Sequence, residues 1–102
     1  MKTFKVLAAH EIGRVGCLKI ERNLIPQLQD WMIEKVLNQF MEQVGVESNF
    51  LIDYIRRYCA RNEYAVIGDH LEMEQKGDYT CIYAIKKSPI LDVNIFPIDI
   101  VE

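Results

Sequence analysis

Tyr79-Thr80-Cys81-Ile82-Tyr83-Ala84-Ile85 is the stretch that decides the fold. Successive side chains of an extended chain point to opposite sides, so Tyr79, Cys81, Tyr83 and Ile85 share one face and Thr80, Ile82 and Ala84 the other. Neither set reads as a solvated face. The stretch is therefore expected to be a central strand buried on both sides, with helices over one face and something else over the other. Just before it, Gln75-Lys76-Gly77-Asp78 reads as a hairpin turn in which Gly77 is free to take positive φ. The partner strand starts at Tyr64 and is interrupted at Gly68, where a bulge or sharp bend is expected.

Two more strands open the chain. Phe4, Val6 and Ala8 alternate with Thr3, Lys5 and Leu7, and Leu18 and Ile20 with Cys17, Lys19 and Glu21. Gly13 and Gly16 between them suit a loose or bulged hairpin. Pro26 then opens a helical pattern whose apolar residues, from Leu28 through Trp31, Met32, Ile33, Val36, Leu37, Phe40 and Met41 to Val44, recur at intervals of three and four. Gly45 stops it. Ser48 or Asn49 caps a second helix that ends near Asn62, and a last segment, residues 90–101, forms a strand that Pro97 confines to an edge or breaks. The order β-β-α-α-β-β-β implies a single α+β domain over residues 1–102: a two-layer structure of about five antiparallel strands with both helices on one face.

Composition bounds the function. Half of the 102 residues are hydrophobic and 26% are charged, which excludes a disordered or fibrous chain. A net charge of −3 argues against holding nucleic acid by bulk electrostatics, which needs several Lys and Arg to displace counterions. The apolar run Val6-Leu7-Ala8-Ala9 is too short for a signal core, and no stretch approaches the ~20 residues of a membrane span, so a cytoplasmic protein is expected. Cys17, Cys59 and Cys81 lie far apart with no C-x-x-C, as buried thiols of a reducing compartment do.

Three sets of residues are candidates for function. Arg56, Arg57 and Arg61, joined by Lys86 and Lys87, present forked donors suited to carboxylates or phosphates. Trp31 and Tyr83 belong to a surplus of aromatics beyond what one core needs, and an apolar face without a cover in the same chain marks a partner surface. With the wide stripe at 28–44, that surplus predicts a homodimer burying more than about 1,200 Å². His70, Glu72 and Glu74 fall on one face of a strand, with Asp69, His10 and Glu11 as further donors, and are the weak candidates for a metal. The ordinary reading of that set is the solvated side of a hairpin, with no metal or other cofactor.

No phosphate-binding loop, dinucleotide fingerprint, nucleophile elbow or H-E-x-x-H occurs. Gly77-Asp78-Tyr79-Thr80-Cys81-Ile82-Tyr83-Ala84-Ile85 resembles the Gly-Asp-x-x-Cys-x-Phe/Tyr hairpin of small-molecule-sensing domains related to 4-vinyl reductase. The resemblance covers nine residues, lacks the cysteines such domains often use to hold zinc, and carries over no function. The expectation is a non-enzymatic interaction protein, a homodimeric regulator or inhibitor with an acidic protein partner, of the kind found among viral or mobile-element accessory proteins. The alternatives are a small-molecule-binding or metal-dependent enzyme using His70 with Glu72 or Glu74, and a nucleic-acid-binding accessory protein using the three arginines.

Overall fold

A computed structural model describes residues 1–8, 13–47, 52–67, 70–85 and 95–101. Along the chain run β1 (Lys2–Ala8), β2 (Arg14–Glu21), a 3₁₀ turn (Ile25–Gln27), α1 (Asp30–Val44), α2 (Ile52–Arg61), β3 (Ala65–Ile67), β4 (Leu71–Lys76), β5 (Tyr79–Ile85) and β6 (Ile98–Ile100). The protein is α+β. Six strands form one sheet in the order β3-β4-β5-β2-β1-β6, every neighbouring pair antiparallel.

The sixth strand corrects the count of five. Ala65 pairs with Met73 and Ile67 with Leu71, so the chain reverses between β3 and β4, where a bulge or sharp bend was expected. Gly68 itself lies outside the described residues. Tyr64-Ala65-Val66-Ile67 and Leu71-Glu72-Met73 keep the same inside-outside alternation, which is why they read as one strand. The final strand sits at the sheet edge and begins directly after Pro97, as the missing N–H demands.

α1 starts four residues later than expected. Pro26 belongs to the 3₁₀ turn; Leu28 and Gln29 are extended, and Leu28 directs its carbonyl to Arg56 of α2 instead of continuing a helix. The helix ends as its sequence indicates. Gly45 takes the left-handed conformation (φ 69°), and the N–H groups of Gly45 and Val46 both reach the Met41 carbonyl. α2 ends in the same way, with Asn62 at φ 57°. Its expected caps, Ser48 and Asn49, lie outside the described residues.

The core lies between the helices and one face of the sheet. Phe4, Val6, Leu18, Ile20, Leu71, Met73, Ile82, Ala84, Ile98 and Ile100 pack against Ile33, Val36, Leu37, Phe40 and Val44 of α1 and Ile55 and Cys59 of α2. Gly16 leaves room for α1. A Cβ there would stand 2.8 Å from the Val44 Cγ1, and Val44 has little rotamer freedom on a helix. Gly16→Ala is expected to cost about 1–3 kcal/mol, the usual penalty of overpacking, read as a lower urea midpoint at unchanged slope.

The homodimer expectation rests on two surfaces, and both are covered within the chain. The α1 stripe from Met32 to Val44 is buried, leaving Trp31 at its margin 43% exposed. The outer face of β5 is sealed by the long side chains described next.

Candidate functional site

On the side of the sheet away from the helices, side chains from adjacent strands fall into rows set by the register. Glu72, Tyr83, Cys17 and Leu7 form one row; Glu74, Cys81, Lys19 and Lys5 form the next. Arg14 joins them through a β-bulge. Strict alternation would point it at the core with Gly16 and Leu18, but the register shift at Val15 turns it outward opposite Ile85. Its guanidinium lies 3.9 Å from the centroid of the Tyr83 ring and pairs with Glu72, and with Glu74 at 3.5 Å. Tyr64 donates its hydroxyl to Glu72 at 2.6 Å, and Lys76 stands 3.8 Å from Glu74 and 5.6 Å from the Tyr83 centroid. Lys19 covers the Tyr79 ring at 4.2 Å.

Among the described residues, the second face of β5 is covered by the stems and charges of Arg14, Lys19 and Lys76 laid over the tyrosines. Tyr83 is buried beneath this network. Glu72 and Glu74 share the face as the alternation predicts, yet both carboxylates are turned to cations, and His70 is exposed beyond the strand end. No group of three metal-ligating side chains occurs among the described residues. His10, Glu11 and Asp69 lie outside them, as do Lys86 and Lys87.

Beneath the cations two thiols meet. Cys17 and Cys81 are 6% and 2% exposed and cluster with Tyr83 and Tyr79. The neighbouring Cys17 thiol lowers the Cys81 pKa to about 7 despite desolvation, with help from Lys19 and Lys76, and the same pairing raises the Cys17 thiol well above its ordinary value, a shift that burial reinforces. Tyr64 is also raised, by its bond to Glu72, and Tyr83 by burial.

The three candidate arginines divide. Arg56 is a clamp: its guanidinium donates to the carbonyls of Ile25 and Leu28 at 3.0 and 2.8 Å and to the Asp30 carboxylate at 2.6 Å, tying α2 to the segment before α1. Arg57 and Arg61 lie one turn apart on the exposed side of α2, beside Tyr54, which is 45% exposed and stacks on Tyr58 at 6.2 Å with rings 3° from parallel. Trp31 follows Asp30, the residue that Arg56 holds, and its indole donates to Gln29 at 2.7 Å.

A pocket of about 590 Å³, unforeseen from sequence, opens between the 3₁₀ turn, the C-terminal half of α2 and the β4–β5 turn. Arg22, Arg56, Cys59 and Asp78 line it. Arg22 donates to the Cys59 carbonyl at 3.0 Å while its own backbone N–H is held by the Asp78 carbonyl at 2.8 Å, so the polar groups at this wall fasten α2 to the sheet. Comparison with known proteins gives no match at the level of family models, curated proteins or solved structures. No helix among the described residues is long and apolar enough to cross a membrane.

Proposed function

We propose that this protein acts by binding an acidic protein partner through the outer face of α2, as a regulator or inhibitor without catalysis of its own. The observation that carries the reading is the stripe of Tyr54, Arg57, Tyr58 and Arg61. It combines stacked aromatics with two arginines that meet no carboxylate among the described residues, on a helix whose opposite side is fixed in the core by Ile55 and Cys59. Aromatic and arginine side chains are the usual anchors of protein interfaces. The arginine fork favours carboxylates geometrically, and the net charge of −3 makes the basic patch local. Such a protein would be at home in the cytoplasm.

Homodimerisation is a second reading, with its contact moved to the same helix. Asp53 lies one turn before Arg57, so two antiparallel copies of α2 would place each Asp53 opposite the arginines of the other copy, with Tyr54 between them.

Reversing Arg57 and Arg61 to Glu tests both. Exposed charge changes rarely cost more than about 0.5 kcal/mol, so the double variant should fold. Used as paired baits on an array of acidic and neutral peptides, the wild type is expected to retain acidic sequences that the double variant loses by at least ten-fold. Sedimentation of the two proteins separates the dimer, which the reversal would dissociate. Equal retention by both baits would end the acidic-partner reading. Binding of random duplex DNA with a steep salt dependence would replace it with the nucleic-acid one.

A further inference from the structure

We propose that Cys17 and Cys81 form a two-coordinate site for a soft monovalent cation, Cu(I), bridging the two central strands on the open face of the sheet. The register carries the argument. Cys17 lies opposite Tyr83, and Cys81 opposite Lys19, so the cysteines are diagonal neighbours on adjacent antiparallel strands. Diagonal positions have Cα atoms about 7–8 Å apart, at or beyond the limit for a disulfide, which wants Cβ atoms at about 3.8 Å. Both side chains nevertheless belong to one buried cluster with Tyr83 on this face of the sheet. With metal–sulfur bonds of roughly 2.3 Å, two sulfurs on opposite sides of one ion stand about 4.6 Å apart, a spacing a diagonal pair supplies by small χ1 rotations.

The surroundings favour a thiolate pair with a cation between. Binding displaces the thiol protons: two thiols and Cu(I) give a bis-thiolate copper complex of charge −1 and release two protons, because a coordinating thiol is deprotonated outright. Lys19 and Lys76 act on Cys81 as positive neighbours, Lys19 acts on Cys17, and Arg14 lies over the adjoining Tyr83, so the negative complex would sit among cations. Soft thiolates select Cu(I) over hard ions. Zinc wants four ligands, and Glu74, the carboxylate opposite Cys81, is turned to Arg14 and Lys76. Burial of both sulfurs would keep bound Cu(I) from water and oxidant. The site is independent of the α2 surface.

The test uses the reduced full chain under anaerobic conditions, loaded with Cu(I) as its acetonitrile complex and then dialysed against the Cu(I) chelator bicinchoninate. One copper per chain is expected to remain, with X-ray absorption showing two sulfur scatterers and no nitrogen or oxygen. Cys17→Ser and Cys81→Ser should each lower retention at least ten-fold, and Cys59→Ala should leave it unchanged. Loss of all copper to the chelator, retention in either serine variant, loss in Cys59→Ala, or three or more scatterers would each overturn the proposal. So would zinc retained under the same dialysis. The absorption measurement needs only the wild type, so it decides the matter even if a serine variant does not fold.

Discussion

Phe40→Ala is expected to remove a large share of the stability of this domain. Phe40 is fully buried, belongs to the α1 stripe, and its ring edge lies over Gly16 of β2. Truncating a buried phenylalanine costs about 3–5 kcal/mol, because the transfer free energy is lost and the cavity cannot close against a rigid sheet. A chain of this size holds about 5–15 kcal/mol in all. At about 4–8 °C per kcal/mol, the melting temperature should fall by more than about 12 °C. Calorimetry showing a drop under 5 °C would mean that α1 does not carry the core as described. Phe40→Leu, which keeps most of the volume, should cost far less.

The second large effect is expected at Arg14. Glu72 is only 8% exposed and holds Arg14 on one side and the Tyr64 hydroxyl on the other. Arg14→Met removes the counter-charge and uncovers Tyr83, leaving a carboxylate that is costly to keep so nearly buried. A loss of about 2–4 kcal/mol is expected, somewhat below the range for fully buried pairs because the Arg14 side chain keeps 16% of its exposure. The double variant Arg14→Met/Glu72→Leu should recover most of it, since a well-packed apolar pair of similar volume often replaces an ion pair at little cost. Urea denaturation of the two single variants and the double variant closes the cycle. Additive losses would show that the pair does not interact energetically.

Local chemistry explains why much of the architecture could be read from the chain. The two-faced burial of β5, the glycine stop after Val44, the end of α2 at Asn62 and the edge position after Pro97 each follow from one to seven consecutive residues. What could not be read depends on register and strand order. Arg14 stands on the parity of the core face until the bulge at Val15 turns it, and a bulge leaves only a weak trace in a glycine-rich stretch. Cys17 and Cys81 become neighbours only because β2 lies beside β5, a pairing of strands at opposite ends of the chain that periodicity does not encode. The one available signal was that each cysteine shares its strand face with an aromatic or a lysine rather than with aliphatic core. Arg56 was grouped with Arg57 and Arg61 by sequence, and helical geometry separates them: a side chain one residue earlier lies about 100° around the axis, toward the 3₁₀ turn.

The two rims of the sheet have a consequence for how the molecule meets others. β3 and β6, at opposite ends of the strand order, contain three residues each, and Pro97 immediately precedes β6. Among the described residues, an extended peptide laid along β3 or β6 would find three residues of regular strand, too few for the row of main-chain hydrogen bonds by which strand addition gains its affinity. The same shortness withholds a template from a second sheet, so a chain with half its residues hydrophobic offers little purchase for edge-to-edge growth into fibrils. Along β3 and β6 the described strands thus leave little main chain for another strand to pair with.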